Sequence, residues 1–188
     1  MAAKWPLQIN SSNVIEPASL PGGLYLVSSQ SASSSASIDF TNLSATGYNE
    51  FFLEMSGVQP VTNGSYLRME VSNDNGSTWS TTGYATGLNY HAYNSATTTN
   101  QNSTSAFDFA NSIGNTQIFS GYGYIYDISQ GRFISLMGKS IYKTSASTLT
   151  IGDFGGQSGI TGVNALRFLM NSGNIFTGTF SLYGVKES

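Results

Sequence analysis

Cysteine is absent from this chain. That excludes disulfides and thiolate metal sites and leaves the redox compartment open. Charge is scarce as well: Asp, Glu, Lys and Arg make up 9% of the residues, against roughly 25% in an ordinary soluble domain. Ser, Thr, Asn and Gly fill the polar positions, and the formal net charge is −3. A surface of hydroxyls and amides carries little long-range field, so neither nucleic acid nor anionic membrane is an expected partner. No basic patch accompanies the aromatic residues. A single histidine, His91, excludes multi-histidine metal sites. No stretch approaches the ~20 apolar residues of a membrane span. Residues Met1 to Ser12 hold one lysine and no apolar run, so no secretory signal is expected and the product should be made in the cytoplasm. No segment keeps a helical period.

What the chain does have is aromatic bulk and alternation. Aromatics are 13% of its 188 residues, enough for one packed core. Side chains alternate across a strand, so a period of two marks an apolar face and a wet one. Phe51, Leu53 and Met55 oppose Phe52 and Glu54; Leu67, Met69 and Val71 oppose Arg68 and Glu70; Tyr122, Tyr124 and Tyr126 oppose Gly121, Gly123 and Ile125. Near the end, Leu166, Phe168 and Met170 share one face. Phe176, Phe180 and Leu182 share another, opposite Thr177, Thr179, Ser181 and Tyr183. With Asn171-Ser172-Gly173-Asn174 as turn, Val163 to Val185 reads as a hairpin that closes the fold. Three polar or glycine-rich stretches, Ser28–Ser37, Ala96–Ser105 and Gly155–Gly159, read as loops or links. About nine to eleven short strands with turn signals every ~8–12 residues predict an all-β, antiparallel β-sandwich, jelly-roll-like, over residues 24–188. Residues 1–23 are broken by Pro6, Pro17 and Pro21 and read as an extended N-terminal arm. Its apolar residues, Trp5, Leu7 and Ile9 foremost, are expected to dock on its own domain or on a neighbouring subunit.

One local motif is specific. Ser72-Asn73-Asp74-Asn75-Gly76-Ser77-Thr78-Trp79 fits the Asp-box pattern Ser-x-Asp-x-Gly-x-Thr-Trp. Ser72, Asp74, Gly76, Thr78 and Trp79 are expected to form a structural turn, with Asp74 accepting N–H groups and Trp79 covering the turn. Sialidases carry such boxes on repeated blades and clamp a carboxylate with three arginines. This chain has three arginines, Arg68, Arg132 and Arg167, but no repeat. No Gly-x-Ser-x-Gly elbow accompanies His91, and no pair of carboxylates stands out by spacing as a glycosidase pair would. No catalytic, cofactor or metal residue is therefore assigned, and no enzyme activity is expected. Tyr84, Tyr90, Tyr93, Tyr122, Tyr124 and Tyr126 are the candidate contact residues for a protein partner or a glycan, since tyrosine is enriched at interfaces and its ring stacks on sugar C–H faces.

The order of pieces resembles a known group. A Tyr/Phe-rich opening precedes LRMEVSNDNGSTW, then a Ser/Thr/Asn-rich stretch, then GYGYIYDIS, then VNALRFLMNSGNIFTGTFSLYGV. This is similar to tailed-bacteriophage virion structural proteins of the capsid-decoration, head-fibre and tail-fibre type, over about Leu24 to Val185. The resemblance implies a non-enzymatic module displayed on the virion. Its expected partners are copies of itself, most often as a homotrimer, and other virion proteins such as major capsid or tail proteins. The alternative is an adhesin domain of a fibre that binds a host receptor or surface glycan.

Overall fold

The computed structural model describes residues 23–186 and, for the backbone alone, 7–9 and 15–17. Its strands are β1 (Leu7–Ile9), β2 (Ile15–Pro17), β3 (Leu24–Ser35), β4 (Ser37–Phe40), β5 (Phe51–Pro60), β6 (Leu67–Ser72), β7 (Tyr84–Ala92), β8 (Thr99–Ser103), β9 (Phe107–Asp108), β10 (Phe119–Tyr126), β11 (Phe133–Lys143), β12 (Leu149–Thr161), β13 (Ala165–Met170) and β14 (Ile175–Val185). Strands β3 to β14 form an antiparallel β-sandwich, and β1 and β2 form a two-stranded sheet of their own. The larger sheet has eight strands in the order β3-β14-β5-β10-β11-β12-β7-β8, and the smaller has four, β4-β13-β6-β9. From β3 to β7 the chain changes sheet at every strand, and it does so again from β8 to β9, β9 to β10, β12 to β13 and β13 to β14. The pairs β7-β8 and β11-β12 extend the larger sheet beyond β10.

The alternation expected for β5, β6 and β10 is what buries the core. Phe51, Leu53 and Met55 from the larger sheet face Leu67, Met69 and Val71 from the smaller one, and all six are almost fully buried. Phe168 of β13 sits at the centre. Its ring meets Phe180 at 5.2 Å, Phe40 at 5.9 Å and Phe109 at 6.0 Å between centroids. Phe154 of β12 fills the inner face of the extension, edge-on to Phe109 at 4.7 Å. Its ring lies over the glycines of neighbouring strands: a Cβ on Gly138 would stand 2.5 Å from Phe154 Cζ. Bulk on β12 therefore requires its absence at Gly138.

The closing segment is not a hairpin. β13 belongs to the smaller sheet and β14 to the larger, so the two strands meet through side chains rather than backbone. Alternation tells which face is apolar, but not whether the next strand lies edge to edge or face to face. Phe176 also departs from expectation. Register shifts between Ile175 and Thr179, with Gly178 at φ 137°, turn Ile175 inward and leave Phe176 exposed. The serine-rich stretch is strand as far as Ser35, because β3 pairs along its length with β14 and its hydroxyls meet those of β14 (Ser29–Ser181 2.9 Å, Ser31–Thr179 3.3 Å). Gly155–Gly159 is likewise strand, within β12. Thr99–Ser103 adds a short edge strand where a loop was expected. In the N-terminal segment β1 pairs antiparallel with β2, Leu7 opposite Pro17 and Ile9 opposite Ile15, so the segment doubles back. Trp5 lies outside the described residues, as do the side chains of Leu7 and Ile9.

Candidate interaction face on the larger sheet

The register of the larger sheet lines up its outward side chains in rows across the strands. One row runs Leu26, Tyr183, Phe52, Tyr124, Met137, crossing β3, β14, β5, β10 and β11. Every member is apolar or aromatic. The next row runs Ser29, Ser181, Glu54, Tyr122, Lys139, Asp153, Asn89. Beyond it Ile141 pairs with Ile151 and Ile151 with His91. The face is thus an apolar row and an apolar corner separated by a polar row.

Tyrosine bulk projects outward on β10 because the inward positions are Gly121 and Gly123, where Phe119 and Phe154 take up the room. The rings touch one another: Phe52 lies 5.1 Å from Tyr124, 6.0 Å from Tyr122 and 6.1 Å from Tyr183, and Tyr124 stacks on Tyr126 at 6.3 Å. Five rings make a continuous strip. Beside it a shallow groove of about 430 Å³ runs between Phe52, Tyr122, Ile141 and Ile151. Leu26 and Met137 are each 60% exposed and Tyr122 46%. Charge on the face is mostly self-neutralised. Lys139 Nζ pairs with Asp153, which holds the ammonium pKa above its usual range. The Tyr183 hydroxyl donates to Glu54 at 3.4 Å.

The six tyrosines expected to act together do not all meet here. Tyr122, Tyr124 and Tyr126 share the outer face. Tyr84 is buried on the inner face, where its hydroxyl donates to the Ser80 carbonyl and accepts from the Val71 N–H; burial pushes its pKa up to about 12. Tyr90 points inward too and accepts from Asn111 Nδ2 at 2.7 Å. Tyr93 is exposed beyond the end of β7, off the aromatic strip. Leu26, Phe52, Met137, Ile141, Ile151 and Tyr183 belong to the face and were not singled out. For Phe52 and Tyr183 the signal was in the alternation: each is an aromatic residue opposite the apolar face of its strand.

The Asp box forms the expected turn after β6. Asp74 Oδ1 accepts from the Thr78 N–H at 2.9 Å and from the Ser72 hydroxyl at 2.6 Å, and Oδ2 accepts from the Thr78 hydroxyl at 2.6 Å. Ser72 Oγ in turn accepts from the Gly76 N–H, and Gly76 sits at φ 85°. Trp79 packs against Gly76 and under the Arg167 guanidinium, 4.3 Å from its ring centre. These hydrogen bonds, Ser72 first, lower the Asp74 pKa to about 2. A lowered carboxylate stabilises the fold above its unfolded pKa of 3.8, and that contribution fades as pH falls through about 2. Asp74→Ala is expected to lower the melting temperature at pH 7 and to flatten its fall between pH 4 and pH 2, as thermal melts across that range will record.

The remaining ionisable groups are spread out. Arg167 bonds Asp39 in a two-pronged pair, Arg68 pairs with Asp108 and Arg132 with Asp127, so the three arginines do not converge. Glu54 faces outward on the larger sheet, whereas Glu70 lies on the smaller one opposite Arg167. Among the described residues no group of three His, Asp or Glu is placed to hold a metal ion, and no helix is long and apolar enough to cross a membrane. Compared with family models, with curated proteins and with solved structures, the chain finds no match.

Proposed function

We propose that this chain is a non-enzymatic structural protein of a tailed-phage particle, which self-associates and docks on other virion proteins. The observation that carries the reading is the outer face of the larger sheet. A strip of five aromatic rings, with exposed Leu26 and Met137 on the same row and Ile141 and Ile151 across a polar row, is exposed apolar surface of the kind that marks an interaction site. Aromatic and methionine enrichment with few charges is the composition of an interface core. The strand order supports the same reading. If β7-β8 and β11-β12 are set aside as insertions, the remaining eight strands alternate as β3-β14-β5-β10 over β4-β13-β6-β9. That alternation supports a jelly-roll reading, an architecture used by viral capsid and lectin domains. The link from fold to role is analogy.

Light scattering on the eluting protein tests the self-association. A defined multimer is expected, with three copies the leading stoichiometry. A monomer persisting at high concentration argues against the proposal. Labelled antibody to this chain should decorate intact particles from the phage that encodes it, and its absence from purified particles removes the virion role. A second reading, glycan binding by a fibre domain, draws on the same ring strip with Glu54, Lys139 and Asp153 beside it. A glycan array separates the two, since a purely structural role predicts no sugar-dependent signal.

A further inference from the structure

We infer that the apolar row Leu26–Tyr183–Phe52–Tyr124–Met137 is the seat of the N-terminal hairpin of a second copy of this chain. The inference rests on the self-association proposed above and names what makes the contact. Four observations lead to it. First, β1 and β2 are three residues each and hydrogen-bond to one another as a separate two-stranded sheet. A hairpin of that size is not stable in water without a surface beneath it. Second, the sequence around it supplies an apolar complement in Trp5, Leu7, Ile9, Val14 and Ile15. Third, the row begins beside the point where this segment joins the sandwich: Leu26 is three residues beyond Gly23. Fourth, no other described residue of the sandwich covers the row, and Leu26 and Met137 at its two ends are each 60% exposed.

Reach is sufficient. Residues 18–22 separate β2 from Gly23, and five extended residues span about 17 Å. Layers packed on a sheet lie about 10 Å from it. A linker with that maximum span is long enough to carry the hairpin across the spacing between packed layers to a neighbouring copy. Each copy gives one hairpin and offers one row, which is a heterologous contact, and such contacts form closed rings when the rotation closes. This is the geometry a trimer needs.

The absence of native cysteine makes the test direct. One preparation carries Leu7→Cys, a second carries Met137→Cys with a distinguishable tag, and a third carries both changes in one chain. After mixing and mild oxidation, a disulfide joining the two differently tagged chains is the expected result. Leu7→Cys alone and Met137→Cys alone set the background of random coupling. A cross-link that forms only within the doubly substituted chain overturns the inference, because the hairpin then sits on its own sheet. No cross-link above background with Met137→Cys, nor with Tyr124→Cys as a second acceptor in the row, overturns it as well. Circular dichroism establishes that each variant keeps the β-sheet spectrum, and Tyr124→Cys stands in if Met137→Cys does not. The two proposals fail separately: a multimer without the cross-link keeps self-association and removes the hairpin exchange, whereas a monomer removes both.

Discussion

Phe168→Ala is expected to destabilise the sandwich by about 3–5 kcal/mol, the range for a buried phenylalanine replaced by alanine. Phe168 is fully buried, and its ring is the junction of three others: Phe40 on the neighbouring strand β4, Phe109 in the segment after β9 and Phe180 on the opposite sheet, with Phe154 one ring further on against Phe109. Removing it costs transfer energy and leaves a cavity that three stiff rings cannot close by rotating. A domain of this size has a total stability of roughly 5–15 kcal/mol, so the variant loses a large part of its margin. Urea melts are expected to show a lower midpoint at an unchanged slope, since the same surface is still exposed on unfolding. Phe176→Ala makes the contrast. Alternation groups that residue with Phe180 and Leu182 on the apolar face of its own strand, yet it is 52% exposed, and its loss is expected to cost under about 1 kcal/mol. Equal costs at the two positions would contradict the register shifts that separate them.

The contrast between Phe168 and Phe176 also shows what kind of information the sequence holds. Period two is a local property, and it separated the two faces of β6, β10 and β13, and of β5 as far as Met55, because the pleat runs without interruption there; beyond Met55 the positive φ of Gly57 shifts the count, so that Val58 and Pro60 are the buried residues. It failed on β14, where Gly178 interrupts the pleat and the count slips. It was silent on partners. Leu166 and Phe180 look alike in sequence, but one lies in the four-stranded sheet and the other in the eight-stranded sheet. Serine repeats hid β3, since a strand paired by backbone on the rim of a sheet needs no apolar alternation to form. The Asp box was legible in full because its chemistry is local: Asp74, Ser72, Gly76 and Thr78 satisfy one another within seven residues. The outer face was legible only in part. Tyr122, Tyr124 and Tyr126 lie on one strand and announced themselves, whereas Leu26, Phe52, Met137 and Tyr183 become neighbours only through a register that spans five strands.

Arg68→Met is expected to be the second large loss, about 3 kcal/mol at neutral pH, the lower end of the range for orphaning one member of a buried ion pair. Asp108 lies on β9, opposite Arg68 on β6, with its side chain almost entirely buried, while the arginine is partly exposed. Arg68 Nε stands 2.8 Å from Asp108 Oδ1, and Gln101 Nε2 donates to Oδ2 at 3.0 Å. Burial holds the Asp108 carboxyl above its usual range, and Arg68 is the larger of the two partners that pull it back down. Removing the guanidinium leaves burial opposed by Gln101 alone, so the pKa of Asp108 rises further. A carboxyl whose folded pKa exceeds its unfolded value favours the fold while protonated, and that favour is lost as pH rises through the folded pKa. The deficit of Arg68→Met should accordingly be largest at neutral pH and shrink on acidification into the carboxylate range. Replacing both partners, Arg68→Met with Asp108→Leu, removes the stranded charge and should restore most of the stability at pH 7. Chemical denaturation of the single and double variants at pH 7 and at pH 4.5 reads all three expectations. A single variant whose deficit stays the same at both pH values would place the loss in the packing of the arginine stem and not in the charge of Asp108.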